Sequence, residues 1–364
     1  MTAAVRQFLA ARSPRRYGER PTPLHRLDRF SAAVGREVWI KRDDLVSVGV
    51  GGNKIRKLAY LVADALASGA DHLVTVGAAQ SNHARCVAVV AAMEGVGCDL
   101  VLGGDPVSPA VGNLLLDHLL GATVHRPGTD DWSELEAISM AVADELRAAG
   151  KRPYAMPIGG STPIGALGFV DAYLELYDQL GALGVAPTAI VHATSSGGTQ
   201  AGLVVGRHLA GSSGGGPAAR IVGIGVAKTG AHLAGEVAAI VEGCVNLVGG
   251  SPPPASDIVV VPGYLGPAYG EPTEGALAAL RLLVRTEGIV VDPVYTAKAL
   301  HAVVDLDGSM LGDGPLVFWH TGGLPAVFAP QYASHLLGRA QIDAENPRLL
   351  LDGEDIQVSR MPSP

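Results

Sequence analysis

The chain lacks the cysteine pattern, the long apolar run and the leader segment that mark several specialised classes of protein. Its three cysteines, Cys86, Cys98 and Cys244, are odd in number and widely spaced, so they predict neither a disulfide framework nor a zinc site. No uninterrupted apolar run reaches the roughly 18 residues of a membrane span. Residues 1–24 contain no apolar stretch typical of a secretory signal. We therefore expect a reduced, cytoplasmic protein with neither a metal site nor a membrane partner.

Basic charge is also scarce. The chain has 27 Lys and Arg against 35 Asp and Glu, a net charge of −8. Proteins that bind DNA or RNA neutralise phosphates with Lys and Arg, so this balance predicts no nucleic-acid partner. Apolar residues make up 48% of the chain and charged residues 17%, which permits a sizeable core and excludes wholesale disorder. At about 150 residues per domain, 364 residues predict about two domains.

Glycine, by contrast, is abundant, with 48 residues and no collagen-like period. Short β-branched runs alternate with glycine- or serine-rich turns and helical patterns. This alternation predicts an α/β fold of open, twisted, mostly parallel sheets covered by helices. The predicted strands are 72–77, 98–103, 189–194, 220–226 and 316–321. The predicted helices are 54–69, 82–95, 112–120, 132–148, 199–210 and 232–242.

A lysine stands at the start of the first of these helices, after Gly51-Gly52-Asn53. Positive charge is disfavoured at a helix N-terminus, where the first N–H groups already carry partial positive charge. We therefore predict a lowered pKa for Lys54 and a neutral amine, the nucleophile that a Schiff base requires. The alternative is an ordinary solvated lysine after a turn.

Two other strand ends lead into helices through polar turns. Ser81, Asn82 and His83 can cradle a carboxylate at a helix N-terminus, although Ser81 or Asn82 can equally be a simple N-cap. The segment 194–200 carries two glycines that let the backbone approach an anion, or that merely form a tight turn. It matches neither a Walker loop nor a G-x-G-x-x-G fingerprint.

Two further segments carry hydroxyl groups. Tyr295 can be a general acid or base, or a packing residue with a solvated tip. Thr321 precedes Gly322-Gly323 at a strand end, where a plain glycine turn is the alternative. Together, a lysine nucleophile, a phosphate-sized cradle and a carboxylate cradle suggest pyridoxal 5′-phosphate as cofactor.

The sequence resembles the D-cysteine desulfhydrase and 1-aminocyclopropane-1-carboxylate (ACC) deaminase family. These are pyridoxal-phosphate enzymes of the tryptophan-synthase-β type, also called fold type II. The resemblance centres on Gly51-Gly-Asn-Lys-Ile-Arg-Lys-Leu58 and runs through most of the chain. The other matching motifs are Pro21-Thr-Pro-Leu24, Lys41-Arg-Asp-Asp-Leu45, Gln80-Ser-Asn82, Gly112-Asn-Leu-Leu-Leu-Asp117, Gly197-Gly-Thr199, Asp292-Pro-Val-Tyr295 and His320-Thr-Gly-Gly323.

The resemblance implies a role for each matching position. Lys54 would hold the cofactor as a Schiff base and shuttle the Cα proton. Asn82 would hydrogen-bond the cofactor's 3′-oxygen, and Thr321 would lie near its pyridine nitrogen. The phosphate would be held by four residues in one turn: Ser196, Gly197, Gly198 and Thr199.

The resemblance also implies a substrate site. The substrate carboxylate would meet Ser81, Asn82 and His83, with Tyr295 and Thr296 completing the substrate contacts. The implied catalytic residues are Lys54, Ser81 and Tyr295, the tyrosine assisting proton transfer.

Two threonines distinguish this sequence within the family. ACC deaminases typically carry Glu where Thr296 stands and Leu where Thr321 stands. A carboxylate near the pyridine nitrogen would keep it protonated and favour ring opening, whereas neutral threonines favour β-elimination of a good leaving group. His83 replaces a usual Gln, and a cationic imidazole would favour an acidic substituent such as sulfonate.

The resulting hypothesis is a carbon–sulfur lyase that converts D-cysteine, or a related β-substituted alanine, to pyruvate, sulfide and ammonia. ACC deamination and L-cysteate sulfo-lysis remain open, as does the enantiomer. A nicotinamide oxidoreductase and a non-catalytic binding module are the alternatives of another class. The resemblance implies a homodimer whose protomer has a large domain (1–55 and 165–340), a small domain (56–164), a cofactor cleft between them and a C-terminal tail (341–364).

Overall fold

Two β-sheets contain the strands of the computed structural model, which describes residues 2–211, 219–228 and 230–337. The strands are β1 (Leu24–Arg26), β2 (Val38–Arg42), β3 (His72–Ala78), β4 (Gly97–Gly103), β5 (Thr123–His125), β6 (Pro153–Met156), β7 (Ala189–Thr194), β8 (Arg220–Gly225), β9 (Val259–Val261) and β10 (Leu316–His320). The six-stranded sheet has the order β1-β2-β10-β7-β8-β9, and the four-stranded sheet the order β5-β4-β3-β6. Every pairing is parallel except that of β1 with β2. The predicted pair of mostly parallel sheets is confirmed.

Helices connect and cover these strands. They are α1 (Thr2–Ala11), α2 (Asp28–Val34), α3 (Lys54–Ala67), α4 (Asn82–Glu94), α5 (Gly112–Leu119), α6 (Trp132–Ala148), α7 (Pro163–Leu183), α8 (Gly198–Gly211), α9 (Gly230–Val248), α10 (Glu274–Glu287), α11 (Thr296–Asp305), α12 (Gly308–Leu311) and α13 (Pro330–Leu337). Short 3₁₀ turns occur at Asp43–Leu45, Ile158–Gly160, Ala255–Asp257 and Leu324–Phe328. The predicted helices match these bounds within a few residues, except that α9 extends beyond 232–242 at both ends. The predicted tail at 341–364 lies outside the described residues.

Apolar spacing explains how α3 lies against the rest of the protein. Ile55, Leu58, Leu61, Val62 and Ala65 recur at three- and four-residue intervals and are buried. They belong to one continuous core that also includes residues of both sheets. The four-stranded sheet lies wholly within 72–156, inside the segment predicted as the small domain. The domain boundaries themselves stay a prediction.

The strand ends decide where polar side chains meet. In open parallel sheets, ligands bind beyond the carboxyl ends of the strands. Here the ends of β3, β7 and β10 all open onto one cavity, at Ala78, Thr194 and Thr321. Sequence segments more than 100 residues apart therefore face one another.

A buried ion pair anchors α3 beneath that cavity. Arg56 Nη2 lies 2.8 Å from Asp43 Oδ1, and both side chains are fully buried. Trp319 Nε1 on β10 donates to the other oxygen of Asp43 at 2.8 Å. Glu175 on α7 accepts a second bond from Arg56 at 2.8 Å. One cluster thus joins α3 to β10, to α7 and to the turn after β2.

One helix in the described part of the chain, α9, is long and apolar enough to cross a membrane by length and composition. A helix in a protein core passes the same test, so a single such helix is weak support for a span. The buried residues of α9 include Leu233, Val237 and Cys244, and the helix contacts α7 and α8. We therefore interpret α9 as a packing helix.

We expect Asp43→Asn to lower the free energy of unfolding by about 3 kcal/mol, because it leaves a buried Arg56 with only one carboxylate. Chemical denaturation measures this loss. The matched control is Asp144→Asn, which breaks an exposed pair with Arg147 (side chains 72% and 47% accessible) and should cost under about 1 kcal/mol. Equal losses in the two variants would contradict an anchoring role for Asp43.

Candidate active site

A cavity of about 460 Å³ opens where the two sheets face each other. The predicted site residues that line it are Lys54, Ser81, Asn82, His83, Ser196, Gly197, Thr199, Tyr295 and Thr321. Two predicted residues are not on its wall. Gly198 is buried within the same turn as Gly197, and Thr296 is buried behind Thr321.

Lys54 is the first residue of α3 and is partly accessible from the cavity. Its Nζ donates a hydrogen bond to Asn53 Oδ1 at 3.0 Å. Burial lowers the pKa of Lys54 to about 8, and the nearby Arg85 acts in the same direction. The predicted lowering is confirmed, but its main cause is desolvation rather than the helix N-terminus. The alternative of an ordinary solvated lysine is wrong.

A glycine turn connects β7 to α8 on the opposite wall. Gly197 has a φ of +80°, a conformation that favours glycine. A Cβ at Gly198 would lie 2.8 Å from both Lys57 Nζ and Ser161 Oγ, so only glycine permits this approach. Ser161 Oγ also accepts the Gly198 N–H at 3.2 Å and donates to Ser196 Oγ at 2.7 Å. Backbone and hydroxyl donors converge at this helix N-terminus.

Lys57 is a site residue that the sequence analysis missed. Its Nζ donates to Gly159 O at 3.0 Å and to Ser161 Oγ at 2.9 Å. Burial, together with the positive charge of Lys54, lowers the pKa of Lys57 well below its ordinary value. The available signal was its position three residues after Lys54, which places the two lysines on one helix face.

The residues of this wall fit a phosphate-bearing aldehyde. A buried amine, paired serines and a helix N-terminus supply donors around the glycine turn. The Thr194 hydroxyl, also at the cavity, is buried without a hydrogen-bond partner among the described residues. An unpaired buried donor is costly, so an incoming anion would stabilise it. Lys54 supplies the amine for an aldehyde.

Ser81 and Asn82 begin α4 on the third wall. Ser81 is the N-cap, with its Oγ accepting the Ala84 N–H at 3.2 Å, so the N-cap interpretation is confirmed. Asn82 Oδ1 accepts from Asn113 Nδ2 at 2.9 Å. With its oxygen occupied, Asn82 presents its amide N–H₂ as a donor for an anionic oxygen.

His83 is buried, with 2% of its surface accessible. Neither ring nitrogen has a hydrogen-bond partner in the part of the chain that the structure describes. Burial, and then the charges of Lys54 and Lys57, lower the pKa of His83 well below its ordinary value. The imidazole is therefore neutral at neutral pH, and the cationic form that would favour an acidic substituent is disfavoured.

Tyr295 precedes α11 and faces a second tyrosine that the sequence analysis missed. The phenol oxygens of Tyr269 and Tyr295 share a hydrogen bond. Burial raises the pKa of both, that of Tyr295 far above its ordinary value, so Tyr295 stays protonated. Tyr269 also packs edge-on against Trp132 of α6, with ring centroids 5.9 Å apart. It lies in an irregular segment between β9 and α10, where no spacing pattern marked it.

Thr296 is engaged with Asp292 rather than with the cavity. The Asp292 carboxylate accepts from the backbone N–H groups of Val294, Tyr295 and Thr296, and from the Thr296 hydroxyl. The Thr296 hydroxyl lies 3.5 Å from that of Thr321. Its predicted direct contact with substrate is not supported by this geometry, because Thr296 does not line the cavity and its hydroxyl is bonded to Asp292. Through Thr296, the Asp292 carboxylate lies near Thr321, but its oxygens already accept these four hydrogen bonds.

Comparisons with known proteins agree with this chemistry. A family model described as pyridoxal-phosphate dependent enzyme matches residues 15–322. D-cysteine desulfhydrase from Klebsiella pneumoniae is 40% identical over 326 residues, covering 87% of this chain and 95% of the relative. The D-cysteine desulfhydrase from Salmonella typhi is 39% identical over 318 residues, covering 85% and 93%. A crystal structure described as an ACC deaminase homologue superposes with a TM-score of 0.84 at 36% identity, covering 93% of this chain and 99% of that one. The chain therefore belongs to the pyridoxal-phosphate-dependent enzymes and has their tryptophan-synthase-β-like fold, fold type II.

Proposed function

We propose that this enzyme eliminates sulfide from D-cysteine, yielding pyruvate and ammonia. The observation that carries the proposal is the buried, lowered-pKa amine of Lys54, which faces separate sets of donors for a phosphate and for a carboxylate. The two relatives named as D-cysteine desulfhydrases support the choice of substrate. The family match supports neither the nicotinamide oxidoreductase nor the non-catalytic binding module.

We infer that the glycine turn holds the cofactor phosphate. Ser196, Gly197 and Thr199 would supply hydroxyl and backbone donors, Gly198 would permit the close approach of the chain, and Lys57 would add a cation when an anion arrives beside it. On the remaining walls, the Asn82 amide would donate to the cofactor's ring oxygen and the Thr321 hydroxyl would face its ring nitrogen. When bound, pyridoxal phosphate withdraws electrons from the substrate Cα, which makes the Cα proton removable.

The first turn of α4 is the proposed carboxylate site. The Asn82 amide and the α4 N-terminus donate to the substrate carboxylate, next to the Ser81 hydroxyl. Neutral His83 can donate one further hydrogen bond from its unpaired ring. A neutral ring gives no particular preference for sulfonate, so the argument for L-cysteate loses its support.

Proton transfer falls to two groups. Lys54, whose pKa is lowered to about 8, accepts the Cα proton as the neutral amine. The Cβ–S bond then breaks, and its electron pair leaves with sulfur. Protonated Tyr295 is a donor on the same cavity and can hydrogen-bond the departing sulfur. The released enamine is hydrolysed by water to pyruvate and ammonia.

The neutral Thr296 and Thr321 pair supports elimination over ring opening. Four donors already occupy the Asp292 oxygens, so this carboxylate orients Thr296 and would not be free to stabilise a protonated ring nitrogen. Thr321 then offers only a hydroxyl. A good leaving group such as sulfide needs less electron withdrawal than a cyclopropane bond.

We further infer a cytoplasmic homodimer acting on small amino acids, with no nucleic-acid or membrane partner. The family match supports the small amino-acid substrate. The net charge of −8 supports the lack of a nucleic-acid partner. Dimerisation and location rest on the resemblance and on the composition.

We expect capture of pyridoxal phosphate by the cofactor-free enzyme to depend on pH through a pKa of about 8. Below that value the Lys54 amine is protonated and cannot attack the aldehyde, and above it the amine is neutral. Hydride trapping followed by peptide mass mapping, from pH 6 to 10, measures the extent of modification at residue 54 during a short pulse. Lys54→Ala should show neither the adduct nor turnover. Trapping that rises only near pH 10.5, or an adduct at another lysine, would refute the assignment.

We expect Lys57→Met to remove the preference for the phosphorylated cofactor while leaving Lys54 reactive. A charge-assisted hydrogen bond contributes about 1.5–3 kcal/mol, so pyridoxal phosphate binding should weaken by roughly 10–100-fold. Pyridoxal, which has no phosphate, should bind the variant and the wild type alike. Titration of both aldehydes by absorbance makes the comparison. Equal weakening for the two aldehydes would show that Lys57 does not contact the phosphate.

A substrate panel tests the reaction itself. Wild-type enzyme should release sulfide and pyruvate from D-cysteine faster than it releases keto acid from L-cysteine, cysteate or ACC. Thr296→Glu with Thr321→Leu should raise the ratio of kcat/KM for ACC over D-cysteine at least about tenfold, because a carboxylate beside the ring strengthens electron withdrawal. Keto-acid chromatography distinguishes pyruvate from 2-oxobutanoate.

The matched control replaces Thr296 by Gln, together with Thr321→Leu. It has nearly the same shape without the charge and should not gain ACC turnover. An equal gain in both double variants would attribute the change to shape rather than charge. If wild-type enzyme prefers ACC, the proposed reaction is wrong.

A further inference from the structure

Asn113 is a fully buried residue of α5 that the proposed chemistry does not use. It belongs to the motif Gly112-Asn-Leu-Leu-Leu-Asp117, one of those that carry the resemblance. Its side chain does not line the active-site cavity, yet it is bonded to Asn82, which does. Both polar atoms of the Asn113 side chain have partners. Asn113 therefore lies one hydrogen bond away from the cavity wall.

Arg85 of α4 fixes one end of the Asn113 side chain. Its Nε donates to Asn113 Oδ1 at 2.9 Å, and both side chains are fully buried. Its two terminal nitrogens donate to the backbone oxygens of Gly49 and Gly51, the latter at 3.0 Å. A guanidinium has donors only, so the atom of Asn113 that faces it must be the oxygen. The amide nitrogen of Asn113 must then point the other way.

Two oxygens surround the amide nitrogen of Asn113. This nitrogen donates to the backbone oxygen of Gln80 and to Asn82 Oδ1, both at 2.9 Å. A backbone oxygen can only accept, so the Gln80 contact also requires nitrogen at this position. A half turn of the Asn113 amide would break three hydrogen bonds and set oxygen against oxygen in a buried site. The two orientations have nearly the same shape, and the cation on one side and the carbonyl on the other select one of them.

This order of donors and acceptors sets the orientation of Asn82. Because Asn113 offers a donor, Asn82 meets it with its side-chain oxygen. The Asn82 amide nitrogen has no hydrogen-bond partner among the residues that the structure describes, and Asn82 lines the cavity. Its two N–H groups are therefore available to a ligand, and an anionic oxygen is the partner they suit.

We propose that Asn113, held by Arg85, is a positioning residue that makes Asn82 a hydrogen-bond donor toward the cofactor. The inference rests on the proposed function, in which the Asn82 amide donates to the ring oxygen of pyridoxal phosphate. Arg85 also holds two backbone oxygens in the loop that leads to Lys54. One guanidinium thus supports both the loop before Lys54 and the polarity of the Asn82 contact.

The first test replaces Asn113 by Asp, whose ionised oxygens can only accept. One oxygen keeps the bond to Arg85, and the other needs a donor, so Asn82 turns its nitrogen away from the cavity. Equilibrium dialysis of holoenzyme should then show pyridoxal phosphate held at least about tenfold more weakly, because a charge-assisted hydrogen bond is lost. Asn113→Ala leaves Asn82 free to take either orientation, so its affinity should lie between those of wild type and Asn113→Asp.

Gln80→Met is the matched control. It removes the two hydrogen bonds of the Gln80 side chain, to the Asn113 N–H and to Val111 O, each at 2.9 Å. It therefore disturbs the start of α5 without removing a partner of the Asn113 amide, and its cofactor affinity should stay close to that of wild type. Circular dichroism shows whether each variant is folded. If Asn113→Asp does not fold, Asn113→Ala carries the same comparison.

A double-mutant cycle with Asn82→Ala separates positioning from packing. Asn82→Ala alone should weaken the binding of pyridoxal phosphate at least about tenfold, and adding either Asn113 variant should cause no further loss. A second probe, 3-deoxypyridoxal 5′-phosphate, lacks the ring oxygen. It should bind wild type and both Asn113 variants alike.

A loss at Asn113 that persists in the Asn82→Ala background, or that is equal for the 3-deoxy cofactor, would show a packing role and overturn the proposal. Asn113 variants that hold the cofactor as tightly as wild type, while Asn82→Ala does not, would overturn it too. If Asn82→Ala itself binds pyridoxal phosphate normally, the proposed ring-oxygen contact is wrong and the positioning role is wrong with it. Dialysis contains no substrate, so these results do not depend on which amino acid the enzyme converts.

Discussion

The buried Arg56–Asp43 pair is the constraint on which the catalytic geometry depends. Arg56 stands two residues after Lys54, and Asp43 also receives the Gly52 N–H on its backbone oxygen at 2.9 Å. The first turn of α3 is therefore held from both sides of Lys54, while Trp319 connects the same carboxylate to β10. A buried pair of this kind adds little net stability over an apolar pair, but it defines one position for the helix. Lys54, the lysine that we propose holds the cofactor, is therefore held in one position.

Burial then gives each titratable group at the site the protonation state it needs. Lys54 loses water and becomes a neutral amine near pH 8, and His83 stays a neutral ring. Tyr295 loses water in the same way and remains a protonated donor. Desolvation always disfavours the charged form, so one physical effect favours a neutral amine at Lys54 and a protonated phenol at Tyr295. The two roles differ because amines and phenols are charged in opposite protonation states.

Basic side chains line two cavities of the protein. In the active site, Lys57 lies behind a glycine turn and next to serine hydroxyls, an arrangement suited to phosphate oxygens. A second cavity, of about 630 Å³, is lined by α1, residues 13–20, α3 and α7, and its lining includes Arg20 and Asp171. Both cavities touch α3, which has Lys54 at its start and Tyr60 nearly two turns later. The helix is thus common to both cavities.

The sequence by itself determined the fold class, the strand order along the chain and the lysine at a helix start, because apolar periodicity and glycine turns are local properties of the chain. Its motifs also indicated most of the cavity wall, since parallel strands deliver their ends to one edge. Only the tertiary structure decided which polar groups are desolvated. Burial favours the neutral form of His83. The fold also directs Thr296 to Asp292 and brings Tyr269 and Lys57 to the site. Accessibility and electrostatic neighbours come from segments distant in the chain, so no local pattern could predict them.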